Sequence, residues 1–341
     1  MNYKFIAGID QSKLTFDVCL IRTADGQKSG EKKFENTKKG LKQMFSWFKS
    51  FKIKPCELLL CTEHTGLYSY PLCVFCQENN LALWLESALQ IKQSMGMQRG
   101  KNDRVDAMRI AQYAAAHLNG VKLFSLPGKA LLGLKQLLAY RERLVRAKQS
   151  FHTAEKEMRE FNADFSGHIG KETKGLLKTI DSKIEKTNAK MLEIIASDEQ
   201  LKKQYQLVLS VPGVGPITAT YLLVYTAAFT RFKTSRQFAC FSGIAPFEYS
   251  SGTSIRGKTR VSHLANKTLK TVLNLCAVSM LRKGNEYFGY YERRVAEGKN
   301  KMSVINVIRN KIVSRVFAVI ERGTAYLSQE EYKKITRVEM A

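Results

Sequence analysis

The 341-residue chain predicts an α/β domain followed by a mainly helical remainder. Three observations carry that expectation. Apolar runs of strand length alternate with helical patterns up to about residue 117 and then stop. Pro127 and Pro212 bracket a proline-free stretch rich in Lys, Glu, Leu and Ala, the composition of long helices. Lys and Arg outnumber Asp and Glu by 55 to 30, and the resulting formal charge of +25 calls for a polyanionic partner. Nucleic acid is the first choice, with a basic membrane-surface protein as the competing reading. No run approaches the roughly 18 apolar residues of a membrane span. The N-terminus reads as a strand, not a signal peptide, which fits a cytoplasmic protein.

In order, residues 3–9 form an apolar strand and 15–22 an alternating one, with "EKKFENT" as a third. Leu41, Met44, Phe45 and Phe48 share one face of a helix over 38–51. "ELLLCTE", 57–63, is a continuous apolar run that ends in a carboxylate, as the first strand does at Asp10. A helix after Tyr68, a fifth strand in "LALWLES" and a helix over about 103–117 follow. Three strands, helix, strand, helix, strand, helix is the order of a ribonuclease-H-like (RuvC-like) fold, a shape shared by many metal-dependent nucleases. Domain 1 is therefore set at 1–125.

Residues 126–206 read as a helical hairpin, with helices over about 129–160 and 172–206 separated by the breakers of "FNADFSGHIGKET". A dimerisation or spacing device is its ordinary use. The third domain, 207–341, opens with "VLSVPGVGPITATYLL". Gly213 and Gly215 there fit a helix-hairpin-helix-like turn that brings backbone amides to a phosphate, or simply a tight helix-helix turn. The basic tail from about Gly284 is a nucleic-acid face with interleaved aromatics or ordinary helix packing.

Four carboxylates stand out. Asp10 and Glu63 end strands that neighbour each other in such a sheet. Asp103 and Asp106, three residues apart, share a helix face that packs back against that edge. Gathered together they would repel unless a cation held them, and hard Mg²⁺ takes oxygen ligands. Two ions about 3.5–4 Å apart would clamp a phosphodiester, with Mn²⁺ able to substitute. Taken alone, Asp103 would be a helix N-cap. Asp17, in the middle of the second strand, is expected to point outward, and His64 to pack.

A second polar cluster is "EYSSGTSIRG", with Ser250, Ser251 and Ser254 among glycines and Arg256, Lys258 and Arg260 following. It reads as a phosphate-binding loop, with a serine nucleophile as the sharper alternative. The seven cysteines are scattered, which suits a reducing compartment. Cys73 and Cys76 form a CxxC with no second pair, better explained by an apolar helix face than by zinc.

The motifs "GIDQSKLTFDV", "CTEHTGLY", "KNDRVDAMRIAQYA", "VPGVGPITATYLL", "FKTSRQFACFSGIAPFEYSSG" and "RGKTRVSHLANKTLKTVL" together resemble the DEDD-type transposases of insertion sequences. That family joins a RuvC-like domain to a serine-bearing C-terminal transposase domain and includes the bridge-RNA-guided recombinases. The resemblance spans residues 5–290. It implies that Asp10, Glu63, Asp103 and Asp106 bind Mg²⁺. It also implies that Ser251, preceding the glycine of the "SG" motif, attacks a DNA phosphate and becomes covalently linked. The implied partners are double-stranded DNA at the element ends and target, a non-coding bridge RNA, and further copies of the chain, as a dimer that forms a tetramer at synapsis. His64 departs from the small residue many relatives carry there. A RuvC-like junction nuclease without a covalent intermediate is the alternative reading.

Overall fold

The computed structural model describes residues 3–94, 103–161, 163–251, 255–262 and 264–327. The chain divides into two compact units, Met1–Leu126 and Pro127–Ala341.

The first unit is built on a five-stranded sheet. Its strands are β1 (Phe5–Gln11), β2 (Thr15–Arg22), β3 (Lys28–Glu35), β4 (Leu58–Glu63) and β5 (Ala82–Glu86), in the spatial order β3-β2-β1-β4-β5. β1, β2 and β3 pair antiparallel, whereas β4 and β5 run parallel to β1. This is the ribonuclease-H-like sheet that the element order predicts. The side-chain period of two sorts the strand residues between its faces. Ala7, Ile9, Val18, Leu20, Leu58 and Leu60 meet α1 (Lys38–Ser50) and α2 (Tyr70–Glu78) on one side. Ile6, Cys19, Ile21, Leu59, Cys61 and Trp84 meet α3 (Ala88–Ser94) and α4 (Asp103–Ala116) on the other. Helix α3 has no counterpart in the sequence expectation. Thr37 caps α1 by accepting from the Gly40 amide. Cys73 and Cys76 lie buried on α2 within the first cluster, where burial pushes both thiols up.

The second unit begins with two long helices, α5 (Lys129–Phe161) and α6 (Ala163–Ala196). They run antiparallel: Arg141 Nε donates to Asn188 Oδ1 at 2.8 Å, and Lys148 Nζ to Asp181 Oδ1 at 2.6 Å. The second helix starts nine residues before the expected position, because Gly167 and Gly170 sit inside it. A glycine in a helix costs roughly 1 kcal/mol, which packing along a long partner outweighs. It also stops early. Asp198 accepts from the Leu201 amide and starts a separate α7 (Glu199–Leu209). Then come α8 (Pro216–Tyr225), α9 (Ser235–Phe241), a hairpin of β6 (Pro246–Ser251) and β7 (Ile255–Val261), α10 (Lys267–Ser279), α11 (Phe288–Ala296) and α12 (Lys301–Arg322). Leu134, Leu138, Met191 and Ile195 at the hairpin root join one apolar cluster with Leu222, Phe238, Leu273 and the Ile308, Ile312 and Val316 face of α12. Among the described residues no helix is long and apolar enough to cross a membrane.

Candidate active site

One rung across the first sheet is ionisable in every strand. Lys33 pairs with Asp17, Asp17 with Asp10, and Glu63 with Glu86. Asp10 and Glu63 each stand one residue past the Ile9–Thr62 pair of the β1–β4 ladder. In-register residues project to the same face, so all five lie on the side that α4 covers. Asp17 is therefore not outward-facing as expected. It is 5 % exposed and pairs with Lys33 Nζ at 3.4 Å. Parity explains the error: Asp17 shares its face with Cys19 and Ile21, which sit in the α4 cluster.

The α4 backbone lies directly on β1, and a Cβ at Gly8 would stand 2.2 Å from the Ala107 carbonyl oxygen. Only glycine permits this approach. It sets Asp106, the residue before Ala107, near the end of the strand that carries Asp10. Burial, and after it the negative charge of Asp106, raises the Glu63 carboxyl above its ordinary value. Asp106 also accepts from Arg109 Nη1 at 2.7 Å. Asp103 opens α4, and its side chain lies outside the described residues. Among the described residues no group of three or more His, Cys, Asp and Glu side chains is gathered closely enough to hold a metal. The structure thus brings Asp10 and Glu63 to neighbouring strand ends, with Asp106 in electrostatic reach of Glu63.

Glu86 is an acidic residue that the sequence reading passed over. Its carboxylate accepts from the Ser87 amide at 2.7 Å and from Tyr113 Oη at 3.4 Å. Burial, followed by the charge of Glu86, pushes Tyr113 up to about 12. The signal was present, since "LALWLE" ends in a carboxylate just as "LLLCTE" does. His64, expected to pack, is exposed, and its backbone N–H donates to the Glu86 carbonyl at 2.9 Å. Asn36 Nδ2 donates to the carbonyls of Ser12 and Tyr68, both at 3.0 Å, tying together the loops that follow β1 and β4.

In the second unit the "SSG" serines end β6, on a hairpin that the sequence reading took for a loop. Alternation is poor there, and Thr, Tyr and Ile supply the strand character. Ser250 pairs with Arg256 and Ser251 with Ile255, while Gly252 to Ser254 and the Ser251, Arg256 and Lys258 side chains lie outside the described residues. Arg260 pairs with Phe247 and is exposed. Gly213 and Gly215 lie between α7 and α8. Gly213 has φ +86, and a Cβ there would stand 2.8 Å from Met280 Cγ. The Gly215 backbone hydrogen-bonds the Cys276 thiol, and Thr218 Oγ1 lies 3.2 Å from the same sulfur.

Residues 7–157 match the transposase family DEDD_Tnp_IS110, and residues 205–292 match the family described as Transposase IS116/IS110/IS902. The pilin gene-inverting protein of Moraxella bovis is 24% identical over 327 residues, covering 95% of this chain and 98% of that one. The transposase for insertion sequence element IS1111A of Coxiella burnetii is 26% identical, covering 66% of this chain and 68% of that one. The solved structure of T. thermophilus RuvC in complex with Holliday junction substrate aligns at 11% identity and a TM-score of 0.28, over 36% of this chain and 100% of that one. The fold assignment rests on the sheet topology. With family matches in both compact units and a relative that runs nearly end to end, this chain belongs to the IS110-type DEDD transposases and is a DNA transposase/recombinase.

Proposed function

We propose that the protein cuts and rejoins DNA at the ends of an insertion element through a serine-linked intermediate, with Asp10, Glu63, Asp103 and Asp106 holding Mg²⁺ and Ser251 as nucleophile. The observation that supports this best is the Glu63 carboxyl, raised by burial and by Asp106 beside the strand end of Asp10. A divalent cation relieves that repulsion, and an all-carboxylate donor set suits a hard ion. When bound, two Mg²⁺ or Mn²⁺ ions would neutralise charge on the phosphate and polarise it toward attack.

The chain's own residues do the rest. β1 and β4 are buried strands, so Asp10 and Glu63 are held on a rigid base. Ser251 attacks phosphorus through Oγ. The Oγ–P bond forms, one P–O bond to the DNA breaks, and the serine proton ends on the departing DNA hydroxyl. One phosphodiester is exchanged for another, so rejoining by the reverse step needs no external energy source. Arg256, Lys258 and Arg260 on the opposite strand offset phosphate charge. The α7–α8 turn with Gly213 and Gly215 adds a backbone contact to DNA. The partners in this reading are double-stranded DNA, a non-coding RNA that selects the sites by base pairing, and other copies of the chain: a dimer that forms a tetramer at synapsis, where the acidic site of one subunit meets the serine of another. The charge of +25 supports a polyanion on this scale.

Trapping the reaction on a denaturing gel tests it. The wild type forms a DNA–protein adduct with Mg²⁺, while Ser251→Ala with Ser250→Ala forms none and Asp10→Ala does not recombine. Hydrolytic nicks without an adduct would replace this reading with a metal-dependent junction nuclease. Normal recombination after ribonuclease treatment would remove the RNA from it.

A further inference from the structure

A cleft of about 890 Å³ opens in the second unit between β7, α10 and α12. Its lining includes Arg260, Lys270, Asn274, Asn306 and Arg309, and no acidic residue. Arg309 is the unusual member. It is 4 % exposed, on the face of α12 that otherwise carries Ile305, Ile308 and Ile312. Its guanidinium donates to Asn274 Oδ1 at 2.6 Å and to Asn306 Oδ1 at 3.4 Å, and its Nε has no acceptor. No described carboxylate pairs with it.

Burying a charge is costly unless it is paired, and removing the pair leaves a penalty of several kcal/mol. Burial draws the Arg309 pKa down. A guanidinium nevertheless stays charged at neutral pH, so the charge cannot be shed by titration. Amide oxygens satisfy hydrogen bonds but supply no counter-charge. An anion from outside is the missing partner, and its class follows from the donors. A planar fork with a second Arg and a Lys at the rim matches a tetrahedral oxyanion.

We infer that this cleft binds a phosphate of the DNA backbone, with Arg309 as its buried cationic floor and Arg260 and Lys270 as its rim. The inference rests on the transposase reading for the identity of the polyanion. The cleft is also mechanically tied to the serine hairpin. Asn306 Nδ2 and Asn310 Nδ2 both donate to the Ile244 carbonyl, at 2.8 and 3.0 Å, two residues before β6 begins. A phosphate on Arg309 would therefore fix the strand against the root of the element that carries Ser250 and Ser251.

The full-length protein tests this. Arg309→Met would leave a polar hole in the α12 core, so the informative change is Asn274→Asp, which puts a carboxylate where the amide oxygen now meets the guanidinium. Gln237→Glu, an amide-to-acid change at an exposed position of α9, controls for the added negative charge. Binding of a random-sequence DNA duplex is followed by fluorescence anisotropy over a salt series, together with thermal midpoints. Relative to Gln237→Glu, Asn274→Asp weakens binding roughly tenfold, the scale of a lost charged hydrogen bond. It also lowers the log–log salt slope by about 0.9, one phosphate contact. Its midpoint equals or exceeds that of the wild type. Equal affinity and slope in the two variants overturn the inference, and so does a lower midpoint, because Arg309 would then lack an open claim on an anion. If inorganic phosphate alone raises the wild-type midpoint as far as saturating duplex does, the site belongs to free phosphate and the DNA assignment falls. The serine adduct is read on the wild-type protein, independently of these two variants, so failure here is separable from failure of the covalent mechanism.

Discussion

Gly8 of β1 lies so close beneath Ala107 of α4 that a Cβ would stand 2.2 Å from the Ala107 carbonyl oxygen and 2.3 Å from the Ala111 amide nitrogen. Both contacts are backbone atoms, which cannot turn aside as a side chain would. Gly8→Ala is therefore expected to lift α4 from the sheet. The cost is at least the roughly 1–3 kcal/mol of an overpacked core. Recombination falls with it, because Asp106 moves with the helix. Chemical denaturation measures the first and a plasmid recombination assay the second. Ala107→Gly does not rescue either, since the clash is with the carbonyl.

Glu63→Gln should separate stability from activity. The folded carboxyl of Glu63 titrates above its ordinary value of 4.5. A group raised in the folded state contributes stability that is full below its unfolded pKa and is lost as pH rises through the folded one. The metal-free wild type therefore loses thermal midpoint relative to Glu63→Gln as pH climbs from the acid range to neutrality. Mg²⁺ narrows that gap by neutralising the carboxylate. Activity in the variant falls by at least about a hundredfold, the upper end for disturbing a metal site. Paired melting curves with and without Mg²⁺ read the effect, and a gap that does not change with pH would contradict it.

Glu86→Gln tests the acidic residue that the sequence reading missed. It is paired with Glu63 on the neighbouring strand and hydrogen-bonded by Tyr113. As an outer carboxylate it should shift the Mg²⁺ concentration for half-maximal cleavage about 10–100-fold upward. Tyr113→Phe should shift it in the same direction by less, since the bond is long. A metal titration of cleavage rate reads both.

The first unit was legible because its elements obey simple periods. Asp10 and Glu63 end apolar strands, and β2 is a run of strand length buried on both faces. What was lost there was facing. A single-residue parity decides whether Asp17 meets solvent or α4, and charge alone suggested solvent. The second unit was less legible because tertiary packing overrides local preference. Gly167 and Gly170 stay helical beside α5, and β6 and β7 form from a serine- and glycine-rich segment. Arg309 carried no signal at all. It is one of several basic residues in a basic tail, and only burial without a carboxylate sets it apart.

The α7–α8 turn can be divided into a packing glycine and an open one. Gly213 adopts φ +86 and faces Met280 and the Cys276 carbonyl, so Gly213→Ala meets both backbone strain and contact. Such strain costs about 1–3 kcal/mol, and DNA affinity drops only as far as the fold does. Gly215 caps α8 with φ −91 and has open space where a Cβ would go. Gly215→Ala keeps the fold within about 1 kcal/mol, the scale of a weaker N-cap. If the turn approaches a phosphate through its backbone, the added methyl stands between them, and affinity for duplex DNA falls while the melting midpoint stays near that of the wild type. Unchanged affinity in Gly215→Ala would make the turn a packing device, with DNA held elsewhere on the unit. Anisotropy and melting on the same two variants decide it.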